Sequence, residues 1–181
     1  LEWNMSINFP EWMSKYDMNS EEIILAFLNM NTYWDLLFNI IVMAIIPAFG
    51  EELLFRGLLQ KSLFKKIGEI HISIFITALL FSAIHFHLDG LLPRFFLGVI
   101  LGYLFYWSQS LWIPIIAHFI NNTMAIIFSY PFFKSSNTLQ QLGFSSANET
   151  ANISFSTAIF SFFAVMMLMF LFYKNSLIKK D

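Results

Sequence analysis

Glu51 and Glu52, with Arg56 following one helical turn later, stand in a stretch of chain that is otherwise apolar, with Pro-Ala-Phe-Gly before them and Leu-Leu-Phe between. His85, His118 and Asn122 occur in similar surroundings. Ionisable groups in such segments are costly and mark function by default. Their spacing assigns them different tasks. Glu52 and Arg56 are i and i+4, so one helix face can hold an ion pair that lowers the cost of burying either charge. Glu51 is turned about 100° from Glu52 and is free to meet another helix. A carboxylate and an imidazole brought together from two helices can hold a water and remove its proton, which makes Glu51 and His85 the candidate pair for that step. His118 and Asn122 are again i and i+4, and two donors converging on one point can take up a developing oxyanion.

Each signal also has a purely structural explanation. A Glu–Arg pair one turn apart is commonly a brace, and a solitary intramembrane His commonly serves as an interhelical hydrogen-bond partner. Two glutamates, two histidines and an asparagine at matched depth are harder to explain that way. His71 and His87 fall at the ends of apolar stretches and are expected at an interface. Asn121 lies one residue off the face shared by His118 and Asn122 and is expected to support or pack.

The elements that must carry these residues are apolar helices. Of 181 residues, 57% are hydrophobic and only 12% charged, and the mean hydropathy is +0.64. Those values depart from a soluble domain in the direction of a bilayer. We expect an all-α, polytopic membrane bundle of about five spans, at about 34–66, 70–87, 91–108, 111–130 and 155–173. Turn signals at Asp89-Gly90, Pro93, Ser108-Gln109-Ser110 and Pro114 separate the middle ones. The first is read as one long, kinked helix through Pro47 and Gly50, because a helix stopping at Gly50 would not cross roughly 30 Å. At about 1.5 Å per residue, Glu51 lies about 20 Å from the Phe64 end of its helix, His85 about 21 Å from His71, and His118 and Asn122 roughly 10–17 Å from Leu111. A bundle can therefore bring all of them to one depth.

Residues 1–32 are acidic and Trp-bearing and are expected outside the hydrocarbon, 33–174 form the membrane domain, and 175–181 a basic tail. Within the first segment, Asn19-Ser20-Glu21-Glu22 reads as the start of a short amphipathic helix. Residues 131–154 read as the one long polar loop. Lys61, Lys65 and Lys66 and then Lys174, Lys179 and Lys180 fall on one side, which the positive-inside rule makes cytoplasmic. Arg94 is then an exception on the outer side. A net charge of −2 without a basic, aromatic-interleaved stretch excludes nucleic acid as a partner. The absence of Cys removes disulfides, thiolate metal sites and a cysteine nucleophile. The chain opens Leu-Glu-Trp-Asn without the features of a signal peptide, and is expected to be the C-terminal part of a longer protein with further spans upstream.

In order, Glu51-Glu52-Leu-Leu-Phe-Arg56, Phe81-Ser-Ala-Ile-His85 and His118-Phe-Ile-Asn-Asn122 resemble the three motifs of the CAAX protease and bacteriocin-processing (CPBP, or Abi) intramembrane proteases, which include the type II CAAX prenyl protease. The resemblance covers 51–122 and no motif position departs from it. It implies an endopeptidase in which Glu51 acts on water, His85 helps to bind that water, His118 and Asn122 form the oxyanion site, and Glu52 and Arg56 support the first glutamate. Glu51, His85 and His118 are also acceptable zinc ligands. Without a His-Glu-x-x-His pair, the metal-independent glutamate mechanism is favoured. The implied partner is a membrane-associated or prenylated-type peptide, and a composition rich in Phe, Asn, Ile and Lys points to a bacterial inner membrane. A non-catalytic scaffold or bacteriocin-immunity protein on the same fold is the alternative, because fold alone does not imply activity.

Overall fold

The computed structural model describes residues 23–24, 26–85, 90–129 and 173, and all regular structure among them is helical. Residues 23–24 and 26–28 form a short helical piece. Four longer rods follow: α1, Tyr33–Ile67; α2, Ile70–Ala83; α3, Leu91–Ser108; and α4, Trp112–Ser129. Two of these, α1 and α3, are long and apolar enough to cross a membrane, with mean hydropathies of 1.8 and 1.4. The apolar stretches Ile70–Ala83 and Trp112–Ile127 are shorter. The segment expected to be a fifth span, 155–173, lies outside the described residues except for Tyr173, which is helical. Also outside them are Asn19 to Glu22, His87 and the loop 131–154.

Local chemistry sets the ends of the rods. Thr32 and Asp35 form a capping box at the start of α1: the Asp35 amide donates to the Thr32 hydroxyl at 3.2 Å, and the Thr32 amide donates to the Asp35 carboxylate at 2.8 Å. Gly68, at φ 81°, closes α1 in the left-handed conformation, and its N–H reaches the Phe64 carbonyl. Along its length α1 is not uniform. Ile40–Ile45 and Leu53–Gln60 are π-helical and flank the α-helical turn pair Ile46–Glu52. Such stretches are rare and tend to occur at functional sites. The irregularity expected at Pro47 is absorbed in the first of them. Pro47 brings no N–H to the carbonyl of Met43 four residues before it, and that carbonyl instead faces Asn122 on α4, with Nδ2 at 3.4 Å.

Among the described residues the interior holds polar and charged groups beside apolar ones such as Phe55, Ile74, Phe81 and Leu101. Glu52, Arg56, Gln60, Ser73, Thr77 and His118 are all buried, whereas Trp34, Ile46, Leu58, Leu79, Phe96 and Ile120 are exposed. Buried charge together with many exposed large apolar side chains suits a lipid surround, which leaves the apolar ones unpenalised.

Glycines let the rods approach one another. A Cβ on Gly98 would fall 3.0 Å from that of Ala78, and one on Gly102 would fall 2.8 Å from Ile74 Cγ2. Close approach of this kind is characteristic of small-x-x-x-small faces in membrane helices. It also uncovers two α3 carbonyls. Arg56 Nη2 donates to Gly98 O at 2.8 Å and Gln60 Nε2 donates to Gly102 O at 3.2 Å, two parallel rungs one helical turn apart. Gly102→Ala is therefore expected to destabilise the bundle by about 1–3 kcal/mol through overpacking. Gly50, by contrast, has nothing within 4 Å of a built Cβ, so Gly50→Ala should stabilise its helix by about 0.5–1 kcal/mol. Thermal unfolding of the two variants in detergent checks the opposite signs.

Candidate active site

The site grows from the buried end of the first motif. Glu52 and Arg56 form an ion pair at 2.7 Å with both side chains fully buried. The same Glu52 oxygen accepts from His118 Nδ1 at 2.9 Å. Arg56 is held from two further directions, by the Gly98 carbonyl and by the ring of Phe81, whose centroid lies 5.0 Å from Cζ. One carboxylate thus joins α1 to α4, and one guanidinium joins α1 to α3. Breaking either would leave a buried charge uncompensated.

Glu51 points elsewhere, into a cavity of about 580 Å³ that Phe81, His85, His118, Asn121 and Asn122 also line. Its Oε1 lies 3.9 Å from His85 Nε2 and its Oε2 lies 3.8 Å from His118 Nε2. Both histidines are oriented through their other nitrogen. His85 Nδ1 donates to the Phe81 carbonyl at 2.8 Å, one turn back on the same chain segment. This bond serves a carbonyl at the end of α2, where the helical ladder runs out and regular structure stops at Ala83. His118 Nδ1 donates to Glu52, which is a carboxylate beside Arg56. With each Nδ1 carrying a proton, each Nε2 is turned toward Glu51.

Phe81 is the hub of this arrangement. Its ring meets Phe55, His85 and His118 with centroids 5.2, 5.2 and 5.8 Å away and fixes the planes of both imidazoles. Asn122 lines the same cavity, where Asn121 Nδ2 donates to its Oδ1 at 3.3 Å. With one Asn122 amide hydrogen directed to the Met43 carbonyl, the second is left for another acceptor.

The structure thus brings Glu51, His85, His118 and Asn122 to one cavity from α1, the end of α2, and α4. Glu52 and Arg56 lie behind it. His71 lies apart, exposed, with its Nδ1 2.8 Å from the Tyr103 hydroxyl. Sequence reasoning assigned no task to Gln60, Gly98 or Gly102, and missed the bond between Glu52 and His118. The Gly98-x-x-x-Gly102 spacing in an apolar span was the available signal for the rungs. The Glu52–His118 bond joins residues 66 apart in sequence and left no such signal.

Zinc is a question of fit. Bond lengths near 2.0–2.1 Å put adjacent tetrahedral ligands about 3.3 Å apart, whereas the Glu51–histidine separations here are 3.8 and 3.9 Å. Among the described residues, no group of three His, Asp or Glu side chains is close enough to hold a metal ion. The residues as placed do not fit zinc, and no step below passes through one.

Comparison with known proteins identifies a family. Residues 33–124 match the family model described as type II CAAX prenyl endopeptidase Rce1-like. Over 86 residues the chain is 34% identical to "Uncharacterized protein YpbD" of Bacillus subtilis (strain 168), covering 45% of this chain and 41% of that protein. Over 88 residues it is 30% identical to "Putative membrane peptidase YdiL" of the same strain, covering 49% and 36%. The chain spans about two fifths of the length of these curated relatives. No solved structure matches it.

Proposed function

We propose, from the premise that this chain belongs to the Rce1-like type II CAAX prenyl endopeptidase family, that it is the catalytic part of a membrane-embedded endopeptidase acting through a glutamate-activated water. Family membership points to a membrane peptidase with a peptide substrate. The observation that carries the finer reading is the position of the Glu51 carboxylate between two Nε2 atoms, each nearly 4 Å away. Those gaps are too long for direct hydrogen bonds and suit a small molecule held by both a carboxylate and an imidazole.

In this mechanism Glu51 takes a proton from water and the resulting hydroxide attacks the scissile carbonyl. His85 Nε2, its ring fixed through Nδ1, accepts a hydrogen bond from that water and sets its line of approach. The carbonyl oxygen gains negative charge and is met by Asn122 Nδ2 and by His118. Because His118 Nδ1 is committed to Glu52, its Nε2 donates to the oxyanion only when the ring carries both protons. The proton on Glu51 then passes to the departing amine, and the carbon–nitrogen bond breaks. Glu52 and Arg56 act by fixing His118 and the helix that carries Glu51.

The test is cleavage of a quenched-fluorescence peptide library by the purified protein in liposomes. Hydrolysis should survive exhaustive chelation, with no stoichiometric zinc in the active preparation. Loss of activity on chelation, restored by zinc, would replace the glutamate mechanism by a metal one. A folded protein that cleaves no peptide would end the reading and favour a scaffold or immunity role. The reading extends to an integral protein of a bacterial inner membrane with its basic C-terminal tail cytoplasmic, and protease accessibility of that tail in inverted vesicles checks it.

A further inference from the structure

One charged residue of the cavity has no part in the proposed hydrolysis. Arg94, in the first turn of α3, lines the same cavity as Glu51, His85 and Asn122. Apart from the histidines it is the only basic side chain among the described lining residues, and Glu51 is the only acidic one. The rest of the described wall is largely apolar, with Leu28, Val42, Pro47, Leu97 and Ile126 among its members.

Its position follows from the α3 register. Arg94, Gly98 and Gly102 are successive i, i+4 positions and share one helix face, the face whose carbonyls receive Arg56 and Gln60. Arg94 therefore sits one turn, about 6 Å, beyond the Arg56 rung along α3. The Ser82 hydroxyl, donating to the Leu91 carbonyl, ties that end of α3 to α2 close to His85. Gly90 leaves the space that the side chain uses: a Cβ at position 90 would fall 2.5 Å from Arg94 Cζ and 2.9 Å from its Nε. Arg94 also has an interaction within the chain. A guanidinium presents five N–H donors in a fixed fork, enough to keep one partner and offer two to another.

We propose that Arg94 is a specificity-determining residue that binds a carboxylate of the peptide substrate in the Glu51 cavity. This rests on the endopeptidase reading and deepens it. The chemistry is that of a planar fork meeting a carboxylate, for which arginine is suited. Opposite charges at two points of a largely apolar cavity give a bound peptide a direction. Its carboxylate is repelled by Glu51 and attracted to Arg94, so the scissile bond comes to rest at a fixed number of residues from the acidic group. Two sources supply such a group, an Asp or Glu side chain and a free C-terminus.

The experiment uses apolar quenched-fluorescence peptides in matched sets: Glu against Gln at each position in turn, and free acid against C-terminal amide. Wild-type protein in liposomes should favour one carboxylate-bearing member by at least about tenfold in kcat/KM, the order expected of a charge-assisted hydrogen-bonded pair. Which set shows the preference identifies the source. Arg94→Gln should bring the ratio of acidic to neutral cleavage close to one, and Arg94→Glu should reverse it in favour of Lys-bearing peptides. Lys65→Gln, at the far end of α1, should keep the wild-type ratio.

Peptide binding to the Glu51→Gln protein, read by fluorescence anisotropy, supplies a readout that does not depend on hydrolysis. Binding that prefers the acidic peptides and loses that preference in Glu51→Gln/Arg94→Gln supports the anchor even if no peptide is cleaved, in which case the hydrolytic reading alone fails. Equal preference for acidic and neutral peptides in wild type, or a preference unchanged in Arg94→Gln, overturns the anchor and leaves hydrolysis standing.

Discussion

Glu51→Gln is expected to lower peptide hydrolysis by about 10²–10⁴-fold, the range that a positioned general base contributes, while leaving the fold intact. The separation of these effects follows from where the charge sits. Neither Glu51 oxygen is within hydrogen-bond distance of a histidine, the shortest separations being 3.8 and 3.9 Å, and the side chain opens onto the cavity. Removing its charge leaves no buried partner stranded, so the thermal midpoint should stay close to that of the wild type. Loss should appear in kcat, since the group acts on water and adds little to peptide binding. His85→Ala should show a comparable loss with a similarly small effect on stability, its ring being only part-buried. Full cleavage by both variants would remove the glutamate mechanism. Rescue of a cellular phenotype by the Glu51→Gln/His85→Ala protein would point to the scaffold alternative.

Arg56→Met should do the opposite, unfolding the bundle before activity can be measured in full. It leaves Glu52 as a fully buried carboxylate without its ion-pair partner and the Gly98 carbonyl without its donor. Breaking a buried pair on one side costs about 3–5 kcal/mol, a large share of the roughly 5–15 kcal/mol by which domains are stable. The paired replacement Glu52→Leu/Arg56→Met separates brace from chemistry. With both charges gone, no uncompensated ion remains, and much of the lost stability should return. Activity should not return with it, because His118 loses the acceptor that fixes its Nδ1. Unfolding in detergent and peptide cleavage, measured on the three proteins side by side, check both halves. A double variant with wild-type activity would show that Glu52 does not orient His118.

The two predictions differ because adjacent residues face different surroundings. Glu51 and Glu52 are adjacent, yet one lines a cavity and the other is sealed between Arg56 and His118. Their divergence of about 100° is a property of any helix and was legible from the sequence. The spacing also paired Glu52 with Arg56 and left Glu51 free; what it could not show is that His118 would be the third partner of Glu52, since that depends on where α4 packs against α1. Gly98 and Gly102, whose missing side chains let α3 approach α2, expose the carbonyls that Arg56 and Gln60 use.

By itself, the sequence determined the helical class, the apolar character of the rods, and the set of polar residues costly enough to require a reason. These follow from composition and from residue spacing along single helices, where 1.5 Å per residue fixes depth and 100° per residue fixes direction. Only the tertiary structure decided how those residues are used. Glu52 reaches His118 across 66 residues of sequence, Phe81 turns from a motif position into the surface against which both imidazoles rest, and Pro47 frees the Met43 carbonyl for Asn122. Arg94, an exception to the charge pattern along the chain, becomes part of the wall of the cavity that Glu51 also lines. Contacts of this kind join helices far apart in sequence, and periodicity within one helix carries no information about which partner its face will meet.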